Sequence, residues 1–266
     1  MLDQNPFSLY DFLGYFVPGS VFLFMLYFLD ISVDTTFEIR NVLYCMPEVN
    51  VGGALFFILS AYITGHILSY LSSIMIEKFA NILYGYPSKY ILGIQVDFNF
   101  KIVATIICFL FLFPSFLVVV LLRMFGVNFL NKKVDVFIKQ SLEKKVEVLL
   151  KKILKLDYQN YLAVTANEKV DIHRIITHYV FDNSKQHQRK MVNYVSLYGL
   201  LRTLCLIFGI LCILLLVFRF KQPQFLMHYT ISSIFCLLCF MAFMKFYRRY
   251  TLEGLMLLII TDFRKK

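Results

Sequence analysis

The chain has 266 residues, is 59% hydrophobic and carries a net charge of +10, with a mean hydropathy of +0.68. Soluble domains are about 45–50% apolar, so this composition excludes an ordinary water-soluble enzyme or binding module and points to a bilayer protein. Five apolar runs, Phe12–Leu29, Val51–Ile76, Ile102–Leu122, Leu197–Phe218 and Phe225–Met244, approach or exceed the roughly 20 residues that a spanning helix needs.

Backbone groups in lipid must be satisfied within the segment, so the runs are expected as helices. The predicted fold class is all-α: a polytopic membrane bundle of five spanning helices, or four if one is re-entrant, with a helical cytoplasmic lobe. Residues 1–123 would hold helices 1 to 3, residues 124–196 the basic lobe, residues 197–244 helices 4 and 5, and residues 245–266 a basic interfacial helix.

The first run follows an acidic rather than a basic leader and continues past Gly19 and Ser20, so it is expected as a retained span, not a cleaved signal. Phe7, Tyr10, Phe12, Tyr15 and Phe16 form an aromatic collar suited to the headgroup boundary. Pro18 removes a backbone donor and predicts a kink near Gly14–Gly19, where two glycines also permit close helix approach.

Asp30 to Asn50 is a connection, and Asn50 is placed to cap the second helix. The second run carries a polar stripe. At 100° per residue, Tyr62, His66, Ser69, Ser73 and Glu77 fall within roughly 80° of arc, Tyr70 lies at its edge, and Ile63, Ile67, Leu71 and Ile74 point elsewhere. Polar groups in a span normally face a bundle interior or a water-filled cavity. Two readings stay open: interhelical hydrogen bonding, or a water-lined path. Phe79 to Lys101 reads as a second connection with a turn around Pro87, and Pro114 predicts a kink inside the third run.

Between Met124 and Ser196 lie thirteen Lys or Arg and seven Asp or Glu. From Asn131 to Leu156 the apolar residues Val134, Phe137, Ile138, Leu142, Val146, Leu149 and Ile153 recur at helical spacing, with lysines on the rest of the surface. Thr165 and Glu168 make a capping box for a second lobe helix running to about Phe181. Asp182-Asn183-Ser184 offers a break, after which a helix from Lys185 is expected to continue into the fourth span. The face of Lys144, Lys145, Lys151, Lys152 and Lys155 has three readings: a solvated surface, a cluster on anionic headgroups, or a site for a phosphate-rich ligand such as a nucleotide or oligonucleotide. Arg174, Arg189 and Lys190 would complete such a site. Asp171, His173 and His178 read as a solvated helix face, because five residues separate the histidines where a helical metal pair prefers four.

Arg202, just inside the fourth run, is expected to snorkel to the cytoplasmic edge, as are Arg123 and Arg219 at span ends. Of the six cysteines, Cys236 and Cys239 form a C-x-x-C but lack the further ligands of a zinc site, so they read as small packing residues. Lys245, Arg248 and Arg249 mark the cytoplasmic edge of the fifth run. Leu252 to Ile260 is too short to cross and is expected against the inner face or the lobe. With the N-terminus outside, five spans would leave roughly 20 Lys and Arg inside and roughly five outside. The expected orientation is therefore N-outside and C-inside, with one re-entrant run sufficient to flip the N-terminus.

The chain contains no glycine-rich phosphate loop, no H-E-x-x-H and no G-x-S-x-G. No catalytic residue, metal site or cofactor is expected. Three patches, Asp11-x-x-Gly14-Tyr15-x-x-Pro18-Gly19, Gly65-His66-x-Leu68 and Tyr247-Arg248-Arg249-Tyr250-x-x-Glu253, together resemble small multi-span bacterial inner-membrane proteins of antiphage defence systems, of the Hailong or Kiwa type. The resemblance implies a homo-oligomer in the bacterial inner (plasma) membrane that senses infection or depolarises the cell. It also implies a soluble defence partner that makes a nucleotide ligand or binds nucleic acid. The function expected is an ion-conducting or membrane-perturbing effector gated through its lobe. The alternative is a non-conducting sensor or scaffold that recruits a soluble partner.

Overall fold

The computed structural model describes residues 9–31, 50–91, 103, 105–107, 109–110, 113, 116–126, 132–153, 155, 172–183, 185–218, 220 and 225–260, and among them every regular element is helical. Four helices of these residues are long and apolar enough to cross a membrane; they lie at Phe12–Leu29, Val51–Tyr90, His187–Phe218 and Phe225–Ile260.

Helix α1 consists of Leu9–Asp11, a π-helical turn Phe12–Phe16, and Val17–Ile31. The wide turn has a local cause. Pro18 has no N–H for the Gly14 carbonyl, and its ring crowds that carbonyl. Just before it, the Val17 N–H donates to the Phe12 carbonyl five residues back. Such a turn is a recognised way for a helix to absorb an interruption in its ladder.

Helix α2 runs through Val51–Ser72, a π-helical turn Ser73–Glu77, and Lys78–Tyr84. Asn50 caps it as expected, its Oδ1 accepting from the Gly53 N–H at 2.7 Å. The helix is longer than its hydropathy suggests. Phe79 to Tyr84, expected in a connection, are helical because Phe79, Ala80, Leu83 and Tyr84 make a buried stripe against the core. Gly85, at φ +82°, ends the helix, and α3 (Pro87–Tyr90) follows with proline in its first turn.

The third apolar run falls partly outside the described residues, Pro114 among them. Its second half is α4 (Phe116–Met124), and Phe113 lies just outside that helix. In the region expected to form the lobe, α5 comprises Val136–Val148 and a π-helical turn Leu149–Ile153. It starts later than the periodicity suggests because the Asp135 side chain caps it, accepting from the Val136 N–H at 2.7 Å. Helix α6 is Ile172–Asn183; the capping box at Thr165 lies outside the described residues.

Helix α7 (Lys185–Phe218) is unbroken, as expected, and extends the fourth run back to Lys185. Helix α8 (Phe225–Ile260) is also unbroken. The separate element expected after Met244 is therefore the continuation of α8, which buries Thr251, Gly254, Leu255, Leu257 and Leu258. That burial keeps the helix going beyond the residues that read as a span. The two long helices lie antiparallel, as Lys190 with Glu253, Tyr198 with Phe243 and Cys205 with Cys236 show.

Phe79, Phe116, Phe240 and Phe243 form the centre of the core, with Phe109 packed against it and Phe79 and Phe116 stacked at 4.8 Å between ring centroids. Phe113 occupies the space beside Gly209, where any Cβ would overlap its ring. Gly209 is near the middle of the fourth run. The residues on either side of the third run nonetheless lie together: the Val134 N–H donates to the Ile91 carbonyl at 3.1 Å, and Arg123 sits 5.7 Å from the Tyr84 ring centroid. Tyr10, at the start of α1, lines a cavity with Phe181, Met191, Val192, Val195 and Tyr250. The start of the first helix thus lies beside residues 181–195 and Tyr250.

Candidate functional site

The most concentrated polar chemistry lies where α2, α7 and α8 meet. Arg202 of α7 pairs through its guanidinium with Glu77 of α2. Its Nε donates to Ser72 Oγ at 3.1 Å and its Nη2 to the Ser69 carbonyl at 3.4 Å. The Tyr247 hydroxyl of α8 donates to the other Glu77 oxygen at 3.3 Å. Ser72 Oγ also lies 3.2 Å from Thr203 Oγ1, and the Thr203 hydroxyl donates back to the Gly199 carbonyl at 3.0 Å. Tyr198 packs beside Tyr247 and Tyr250, and Phe243 stacks on Tyr247. This aromatic wall keeps water from one side of the pair, and lower local polarity strengthens both the attraction and the penalty for losing a partner.

Two points differ from the sequence expectation. Arg202 does not snorkel outward: it is turned across the bundle to an acid 125 residues away. Ser72 was not singled out, yet it is fully buried and bridges α2 to α7. The legible signal was the pair of opposite charges near corresponding ends of two apolar runs, because charges inside a span pair with one another.

The polar stripe divides into two groups. Its first part packs on α1: Tyr15 stacks on His66 with centroids 3.7 Å apart, and Tyr62 meets the same imidazole edge-on at 4.6 Å. The Tyr15 hydroxyl donates to that of Tyr10 at 3.4 Å. This contact depends on two glycines. A Cβ on Gly19 would overlap the Ala61 carbonyl, and one on Gly65 the Tyr15 carbonyl, so the two backbones touch where side chains would otherwise stand. The second part, Ser69 and Glu77, belongs to the Arg202 cluster. Ser73 donates to the Tyr70 carbonyl on its own helix at 2.8 Å. His66 and Tyr70 are exposed, as are Ile63, Ile67, Leu71 and Ile74.

The basic residues are spread over several elements. Lys144 and Lys145 lie on α5, Lys155 just beyond it at φ +53°, Arg174 on α6, and Arg189 and Lys190 on α7. Lys151 pairs with Glu147 at 2.8 Å and Lys190 with Glu253 at 2.7 Å. The side chain of Lys152 lies outside the described residues. Cys205, Cys212, Cys236 and Cys239 are buried, with the sulfurs of Cys205 and Cys236 3.8 Å apart. Among the described residues, no group of three or more His, Cys, Asp or Glu is placed to hold a metal ion.

No protein-family model matches the chain, and comparison with curated proteins and with solved structures finds none similar to it.

Proposed function

We propose that the protein is an oligomeric membrane effector, conducting ions or perturbing the bilayer, whose lobe sets the state of the membrane helices. The observation that carries this reading is the position of Arg202. It stands midway along α7, whose first half belongs to the lobe, and it grips α2, the helix with the exposed His66 and Tyr70. A ligand or soluble partner that moves the lobe would therefore act on α2 without an intermediate element. The resemblance to antiphage membrane components sets this activity in a bacterial inner membrane, with a nucleotide, an oligonucleotide or a soluble defence partner as the signal.

The same reading takes the third run as re-entrant and the chain as a four-span protein with its basic lobe in the cytoplasm. Ile91 and Val134 are hydrogen-bonded across it, and non-helical backbone at membrane depth is tolerated where protein buries it, as at Phe113. The charge distribution supports this. Lys78, Lys89 and Lys101 move to the lobe side, leaving Arg40, Arg219 and Lys221 as the Lys and Arg on the other.

A second reading, a non-conducting sensor or scaffold, is favoured by a different observation: Ser69, Ser72 and Glu77 find their partners within the protomer. Ion flux through liposomes containing His66→Leu or Ser69→Leu protein separates the two. The effector reading expects altered flux in at least one well-expressed variant. Unchanged flux in both removes the stripe from any conduction path. Loss of partner capture on Lys144→Glu/Lys145→Glu, in a protein without measurable flux, would establish the scaffold instead.

A further inference from the structure

We propose that the chain around the start of α5 is an interfacial anchor that docks the lobe on anionic phospholipid headgroups of the lobe-side leaflet. Four large apolar side chains there are strongly exposed: Met124 at 76%, Phe125 at 80%, Val136 at 67% and Phe137 at 74%. They flank Lys132 and Lys133, which are exposed, and Lys139 follows on the same helix. Asp135 is the acid among them, and its carboxylate is engaged in capping α5.

The depth of this region follows from its connections. Along α4, Leu117, Val118 and Leu121 are exposed apolar residues, and the face they begin leads directly to Met124 and Phe125. The chain then turns at Gly126, with φ +73°. The segment leading into α5 is held at the same end of the bundle by two contacts. The Val134 N–H donates to the Ile91 carbonyl at 3.1 Å, and Arg248 Nε donates to the Lys132 carbonyl at 3.0 Å. Aromatic and aliphatic side chains beside lysines, at the edge of a lipid-facing surface, match an interface with acyl chains below and phosphates above. Each lysine near an anionic surface adds about 1 kcal/mol of attraction, which corresponds to roughly fivefold in partitioning. The proposal rests on the chain spanning a bilayer, not on whether it conducts.

The chain has no tryptophan, so one introduced residue is a unique indole that can be excited selectively over the tyrosines. Full-length Phe137→Trp, and separately Phe125→Trp, would be reconstituted in neutral phosphatidylcholine vesicles and in vesicles containing phosphatidylglycerol, each with and without brominated acyl chains. Leu55→Trp, on the exposed face of α2, is the reference for insertion. We expect blue-shifted emission and bromine quenching in the anionic vesicles, with Lys132→Glu/Lys133→Glu/Lys139→Glu removing about half of that quenching or more. Emission unquenched at both positions while Leu55→Trp is quenched would overturn the proposal. Equal quenching in neutral and anionic vesicles would overturn the headgroup selectivity. Quenching that disappears as protein density rises would assign the surface to a second copy of the chain instead.

Discussion

Arg202→Met is expected to lower stability by about 3 kcal/mol, because it leaves the Glu77 carboxylate inside the bundle with Tyr247 as its remaining described donor. For a chain of this size that corresponds to a fall of roughly 6–10 °C in Tm, read by thermal unfolding in detergent. The informative comparison is Glu77→Leu/Arg202→Met. Buried pairs replaced as a unit by apolar residues are often neutral, so the double variant should recover most of the loss. Equal melting temperatures for the single and double variants would show that the pair does not act as a unit.

The second large effect is expected at the contact between α1 and α2. Gly65→Ala and Gly19→Ala each place a methyl group on a facing carbonyl, and neither obstacle is a flexible side chain. The helices must part, at a cost of about 3 kcal/mol or more, and the stacking of Tyr15 on His66 goes with them. Gly199→Ala is the control. A Cβ there meets nothing within 4 Å, and alanine is the better helix former, so it should be neutral or stabilising by up to about 1 kcal/mol. If all three variants melt together, the close approach of α1 and α2 does not hold the bundle.

Particular residues show how far the fold could be read in advance. Hydropathy located the runs that become α1, α2, α7 and α8, and the break near Ser184 located where α7 begins, because these depend on composition and local capping. The fate of the third run did not follow from its own residues: a helix that crosses and one that folds back have the same apolar content. The contacts of Phe113 with Gly209 and of Ile91 with Val134 join distant parts of the chain, which periodicity does not carry. The candidate site was half legible. A helical wheel grouped Ser69 with Glu77, but it assumes a constant 100° step, and the π-helical turn Ser73–Glu77 breaks that step at the point that matters. Ser72 and Ser73 each donate to a carbonyl of their own helix, and what sets Ser72 apart is its contact with Thr203 and Arg202 of α7, which no wheel of α2 alone contains. Arg202 was read as a local snorkelling residue because its partner lies on another run.

The unbroken course of α7 has a mechanical consequence. Arg202 divides Lys185–Phe218 into two arms of nearly equal length, each about 25 Å at 1.5 Å per residue. A rigid rod gripped at its midpoint behaves as a seesaw. A tilt of about 10° about Arg202 carries the lobe end roughly 4 Å one way and the far end roughly 4 Å the other. On the proposed reading, a displacement of the Lys185 end of α7 would reappear at its Phe218 end with similar amplitude and opposite direction.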